Sequence, residues 1–236
     1  MKVNPFNPQQ PAKPNFFVGR EEEIKTFNHF LFQTMSSSPM NLSVTGDRGM
    51  GKTSVLIKFE QVAREQNCLT IRLSNYEGSV NNVLELGDFL IENIEAEILS
   101  RSTVQKVLED FKKFFTELSP EVSVGDVTFS LKRQKTIVQD VFSKKLIAIW
   151  EKVKTDYKAV IILIDEAETL EKIKALTFLR EIFQKVQATS NYMIILAGKL
   201  NFPEKMSETF SPLNRFFQAQ RLKLLSKNYI NKYVAE

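Results

Sequence analysis

Gly46-Asp47-Arg48-Gly49-Met50-Gly51-Lys52-Thr53 decides the reading of this chain. The string fits G-x-x-x-x-G-K-[ST], and chemistry explains its spacing. Glycines let successive backbone N–H groups converge on phosphate oxygens, and a helix opening at Lys52 adds its positive end. Lys52 reaches the β- and γ-phosphates as a point charge, while Thr53 offers a hydroxyl to Mg²⁺. The candidate phosphate-binding set is therefore Gly46, Asp47, Arg48, Gly49, Met50, Gly51, Lys52, Thr53 and the following Ser54. The chain holds only eight glycines, and Gly46, Gly49 and Gly51 are among them. Glycine is used where backbone must turn tightly or touch something closely.

The surroundings agree with that reading. Residues 40–45 (MNLSVT) form a short strand pattern just before the loop, and a helical pattern runs from 52 to 65 after it. Further on, Val160-Ile161-Ile162-Leu163-Ile164-Asp165-Glu166 is an apolar run closed by two acids. An apolar run of this kind is a strand buried on both faces of a parallel sheet. Asp165 at its end is the candidate Mg²⁺ ligand beside Thr53, and Glu166 is placed to polarise an attacking water. Glu166 and Lys52 are thus candidate catalytic residues, and Thr53 and Asp165 candidate metal ligands. The residues themselves leave ATP and GTP both open.

Outward from these motifs, strands alternate with helices. Apolar spacing predicts helices over 20–33, 83–98, 104–118, 137–153 and 173–186. Strands are predicted over 68–73, 159–164, 192–197 and 217–222, and a hairpin around Gly125-Asp126 within 122–131. The alternation predicts an α/β fold: a P-loop three-layer sandwich with a mainly parallel sheet. Residues 75–135 read as a helical and hairpin insertion, whose basic run Lys132-Arg133-Gln134-Lys135 is a candidate phosphate contact.

Several nucleotide machines are excluded by what is absent. No N-K-x-D guanine string and no L-S-G-G-Q signature occurs. Asp165-Glu166-Ala167-Glu168 looks like a helicase D-E-A-x box, yet no S-A-T string follows it. No zinc-ligand spacing and no Cys/His pair for nucleophilic catalysis is present. At 236 residues and 43% hydrophobic, the chain can bury a proper core, which excludes a disordered tail or a disulfide-stapled miniprotein. A lone Cys68, no signal-like start and no long apolar run predict a cytoplasmic protein without a membrane partner. Net charge is +4, and the stretch from Lys199 to Glu236 accounts for all of it. This mild bias permits a polyanionic partner without establishing one.

Phe16-Phe17-Val18-Gly19-Arg20-Glu21-Glu22-Glu23-Ile24 precedes the loop, and Ser211-Pro212-Leu213-Asn214-Arg215-Phe216 follows the last apolar strand. With the two motifs above, these strings make the chain resemble archaeal-type AAA+ ATPases, whose relatives are the origin-recognition initiators and the STAND ATPases. The resemblance implies ATP as cofactor, with Phe17, Val18, Gly19 and Arg20 against the adenine. A staple on the following helix is the other role open to Phe17. It implies that Arg215 is an arginine finger acting on a neighbouring subunit, hence an oligomer in the active state. Lys199 or Asn201 would stand in for the polar sensor that the family carries after the strand matched by 192–197, and Ser74 or Asn75 would bond Glu166. The implied layout is an extended nucleotide-contacting segment over 1–19, an ATPase core over 20–225 and the start of a truncated helical lid over 226–236. The expected function is Mg-ATP binding and hydrolysis, cycling between ATP and ADP to control a macromolecular partner, DNA or protein. The alternative is a STAND-like switch with little turnover and no DNA binding.

Overall fold

β3 (Val160–Asp165) is buried along its whole length, as its unbroken apolar sequence requires. It lies second in a sheet ordered β2-β3-β4-β1-β5, with β2 Leu69–Ser74, β4 Tyr192–Gly198, β1 Leu42–Thr45 and β5 Gln218–Arg221. Every pairing in this sheet is parallel. The computed structural model describes residues 11, 17, 19–74, 80–101, 113, 131–172 and 174–225, with 131–137 and 172 as backbone alone. The predicted helix over 104–118, the hairpin over 122–131, most of the 1–19 segment and the lid start at 226–236 lie outside the described residues. So do Val18 and Asn75, and the side chains of the Lys132–Lys135 run.

Parallel strands need crossovers, and helices supply them on both faces. Successive β3 residues serve opposite cores. Val160, Ile162 and Ile164 join one cluster with residues of α3 (Val83–Arg101), α4 (Leu131–Val153) and α6 (Ala175–Val186). Ile161 and Leu163 join the other with α1 (Glu21–Met35) and α2 (Lys52–Glu65). The result is the three-layer α/β arrangement expected from the sequence. Short helices α5 (Thr169–Lys172), α7 (Phe202–Thr209) and α8 (Leu213–Phe216) complete the described elements. Trp150 packs into the first core at 6% exposure, whereas His29 sits exposed on α1.

Some boundaries differ from the sequence reading for local reasons. β1 begins at Leu42 rather than Met40: side chains meet the Met40 N–H and the Ile194 N–H there, although the Asn41 carbonyl still accepts from the Gln218 N–H at 3.0 Å. The Met40 N–H donates to Thr34 Oγ1 at 3.2 Å, and Asn41 Oδ1 accepts from the Ile194 N–H at 2.9 Å. The helix predicted over 173–186 is α6, which begins at Ala175 because Lys174 takes a left-handed backbone, φ 55°, and the short α5 precedes it. α4 starts at Leu131, earlier than the 137 read from periodicity. Lys, Arg and Gln extend a helix at little cost while carrying no apolar signal.

Candidate nucleotide site

The parallel sheet brings the two motifs to one edge. β1 and β3 flank β4, and the segments leaving their carboxyl ends, 46–51 and 166–168, both lie at that edge, where open α/β sheets bind ligands. Gly46 stays attached to the sheet, its N–H donating to Gly198 O at 3.4 Å. Gly49 and Gly51 adopt φ 84° and 82°, a left-handed conformation that only glycine takes without strain. Gly51 is the N-cap of α2, with no side-chain cap, and its carbonyl accepts from the Val55 N–H at 2.9 Å. The opening amides of α2 lie at the positive end of the helix dipole, the end that favours an anion.

Lys52 Nζ folds back over the loop and donates to Gly46 O at 2.8 Å and Asp47 O at 3.0 Å. Thr53 Oγ1 donates to Asp165 Oδ2 at 2.6 Å across 112 residues of chain. Asp165 is only 7% exposed. Its other oxygen, Oδ1, accepts from the Glu166 N–H at 2.9 Å, so the carboxylate is fixed from both sides. Glu166 itself is exposed and takes φ 52°, a left-handed turn in a non-glycine residue that ends β3 abruptly. The loop beyond it is pinned back to the sheet by Ala167 N–H to Ala197 O, 2.8 Å. These hydroxyl and carboxylate oxygens are hard donors suited to Mg²⁺, which is held by one or two carboxylates plus substrate phosphates. A cluster of three or more metal-ligating side chains is absent among the described residues.

The comparisons decide the family. Residues 17–196 match the model described as AAA ATPase domain. The chain belongs to that family. A curated relative, an uncharacterized HTH-type transcriptional regulator of Methanocaldococcus jannaschii, is 24% identical over 218 residues, covering 90% of this chain and 51% of its own length. Among solved structures, the AAA domain is similar to a Walker-type ATPase of Pyrococcus abyssi, with TM-score 0.55, 17% identity, 96% of this chain and 59% of that one. It is similar too to the Aeropyrum pernix ORC2 protein in its ADPNP-ADP complexes, with TM-score 0.57, 10% identity, 92% of this chain and 50% of the other. The Aeropyrum pernix ORC1 protein in complex with DNA gives TM-score 0.55, 14% identity, 93% and 49%. The chain thus spans about half the length of these relatives, and at such identities the structural likeness establishes the fold. The AAA+ fold expected from the resemblance is the one observed, and the chain is a nucleotide-binding AAA+ ATPase domain.

The remaining sequence-derived residues of this AAA domain fall as follows. Phe17 packs, partly buried, against the α1–α2 core. Arg20 takes φ 71°, directly after Gly19 at φ 72°. Its guanidinium bonds Glu23, the Met50 carbonyl and the Lys223 carbonyl. Ser74 stands opposite Asp165 in the β2–β3 register. Arg215 is exposed on α8. Lys199, immediately after β4, pairs with Glu168 Oε1 at 3.7 Å. Neither the Lys199–Glu168 pair nor the Arg20 clamp was predicted. The first joins the segments that follow β3 and β4, the second those that follow β1 and β5, and each pair of strands is adjacent only once the sheet is ordered. No described helix is long and apolar enough to cross a membrane.

Proposed function

We propose that this domain binds Mg-ATP at residues 46–54 and hydrolyses it to ADP and phosphate, using nucleotide state to control a macromolecular partner. The observation that carries the reading is the Thr53–Asp165 hydrogen bond of 2.6 Å, which sets a hydroxyl and a buried carboxylate together beside a glycine-built anion cradle. On binding, Lys52 Nζ exchanges its two loop carbonyls for the β- and γ-phosphate oxygens, while the α2 amides hold the β-phosphate. Thr53 and Asp165 are assigned the metal, which when bound offsets phosphate charge and orients the γ-phosphoryl group. Glu166 accepts the proton of the attacking water as its oxygen bonds to the γ-phosphorus, and ADP leaves. Phe17, Val18 and Gly19 are assigned to the adenine, with Arg20 in the same segment. Arg215 is assigned to the γ-phosphate of a neighbouring protomer.

Partner identity follows the relatives only as a proposal. One relative is named as an HTH-type transcriptional regulator and one similar structure contains DNA. Together with the positive charge of the chain beyond β4, these favour duplex DNA. A second reading, a switch that retains nucleotide with little turnover, is favoured by the end of β4. Gly198-Lys199 stands there, with Lys199 already paired to Glu168. Steady-state ATP turnover with and without duplex DNA separates the two, with Glu166→Gln as the blank. Turnover lost in Glu166→Gln and stimulated by DNA is expected. Turnover that Glu166→Gln leaves intact contradicts the role given to Glu166, and tight binding with negligible turnover selects the switch.

A further inference from the structure

Arg20 stands where three distant parts of the chain meet. Its Nη2 donates to Met50 O in the phosphate loop at 2.9 Å, and its Nη1 donates to Lys223 O beyond β5 at 2.6 Å. Glu23 Oε1, at 3.1 Å, supplies the counter-charge from the first turn of α1. The side chain is only 8% exposed. A guanidinium so enclosed, with a donor on each carbonyl, is a rigid fork rather than a mobile surface cation. Its own backbone is held left-handed, φ 71°. An arginine bears that strain only when its surroundings hold it there.

The Met50 contact acts on the loop through peptide geometry. No peptide bond in the described chain is cis. In a planar trans unit the carbonyl of residue 50 and the N–H of residue 51 point in opposite directions. Holding the Met50 carbonyl toward Arg20 therefore turns the Gly51 N–H the other way and stops the carbonyl from swinging into the cradle, where it would repel phosphate. Gly51 is the residue least able to fix this plane by itself, since glycine has no side chain to limit its rotation. The second bond keeps the fork aimed. Lys223 follows Leu222, whose N–H donates to Thr45 O at 2.7 Å and so ties that strand end to β1.

We propose that Arg20 is a positioning residue for the phosphate loop, acting through the Met50 carbonyl on the direction of the Gly51 amide. The inference rests on the nucleotide-binding reading above and gives Arg20 an effect on phosphate rather than on the base. Its test is displacement of a fluorescent ATP analogue by ATP, GTP and inorganic tripolyphosphate in the wild type, Arg20→Ala and Arg20→Lys. Arg20→Ala is expected to weaken all three ligands in parallel, by about tenfold or more, with the ATP-to-GTP preference unchanged. Arg20→Lys keeps the charge without the fork and is expected to fall between the two. If Arg20→Ala does not fold, the Arg20→Lys series alone decides by the same parallel loss. Unchanged tripolyphosphate affinity in a folded variant overturns the proposal, even where its melting temperature drops, and so does a selective loss of ATP over GTP. A wild type that binds no ATP analogue overturns the underlying reading instead.

Discussion

The proposed function gives Lys52, Thr53, Asp165 and Glu166 separable duties, and single substitutions tell them apart. Glu166 is exposed and does not hold the fold, so Glu166→Gln should bind ATP as the wild type does while turnover falls by about 10²–10⁴-fold, checked by phosphate release. Cys68 gives a prediction outside the site. It is fully buried, and burial pushes its thiol up from 9.0 to about 11. The native thiol should therefore resist a thiol-exchange reagent at neutral pH and react stoichiometrically once denaturant is added. The unfolded thiol ionises first, so this group's stabilising share is complete below about pH 9 and declines as pH rises toward 11. At this scale the sequence is most legible where the chemistry is local: the loop residues are contiguous, and the glycines declare their backbone before any fold is known. Arg20 shows the limit. Its Lys223 partner is 203 positions away, and a carbonyl partner leaves no trace in side-chain identity.

Elements were legible in proportion to their apolar periodicity. β3 and β4 are entirely apolar but for their ends, and both appear within one or two residues of where the pattern puts them. β5 is shorter than predicted, a mostly exposed strand at the end of the sheet order, where half-buried residues give a weaker signal. The packing of α3 on α4 depends on a glycine that the pattern alone would not single out. A Cβ at Gly87 would lie 2.2 Å from the ring of Phe142, which is itself 5% exposed and set edge-on to Phe178. Gly87→Ala should destabilise the domain by about 1–3 kcal/mol in denaturant unfolding, through overpacking. Adding Phe142→Leu should recover part of that loss. The turn residues of the loop behave differently. Gly49 has open space where a Cβ would go, so Gly49→Ala costs only its left-handed backbone, about 1–2 kcal/mol, and its larger effect should be on nucleotide affinity.

For the molecule as a whole, the parallel order β2-β3-β4-β1-β5 is what turns separate motifs into one site. Alternating strands and helices announce such a sheet, yet strand order is not written in periodicity, and with it went the Lys199–Glu168 pair and the Arg20 fork. Charge is also a property of this scale. If the positive bias beyond β4 serves DNA, affinity for a duplex should fall steeply between low and physiological salt, whereas a signalling switch shows no such dependence. The proposed function requires that nucleotide phosphates occupy the loop at Lys52. Isothermal titration of Mg-ATP into the wild type and Lys52→Ala tests it most directly. A single saturable site in the wild type is predicted, weakened about 100-fold or more in Lys52→Ala, the order expected for a charged hydrogen-bonding partner. Equal affinity in the two proteins would contradict it.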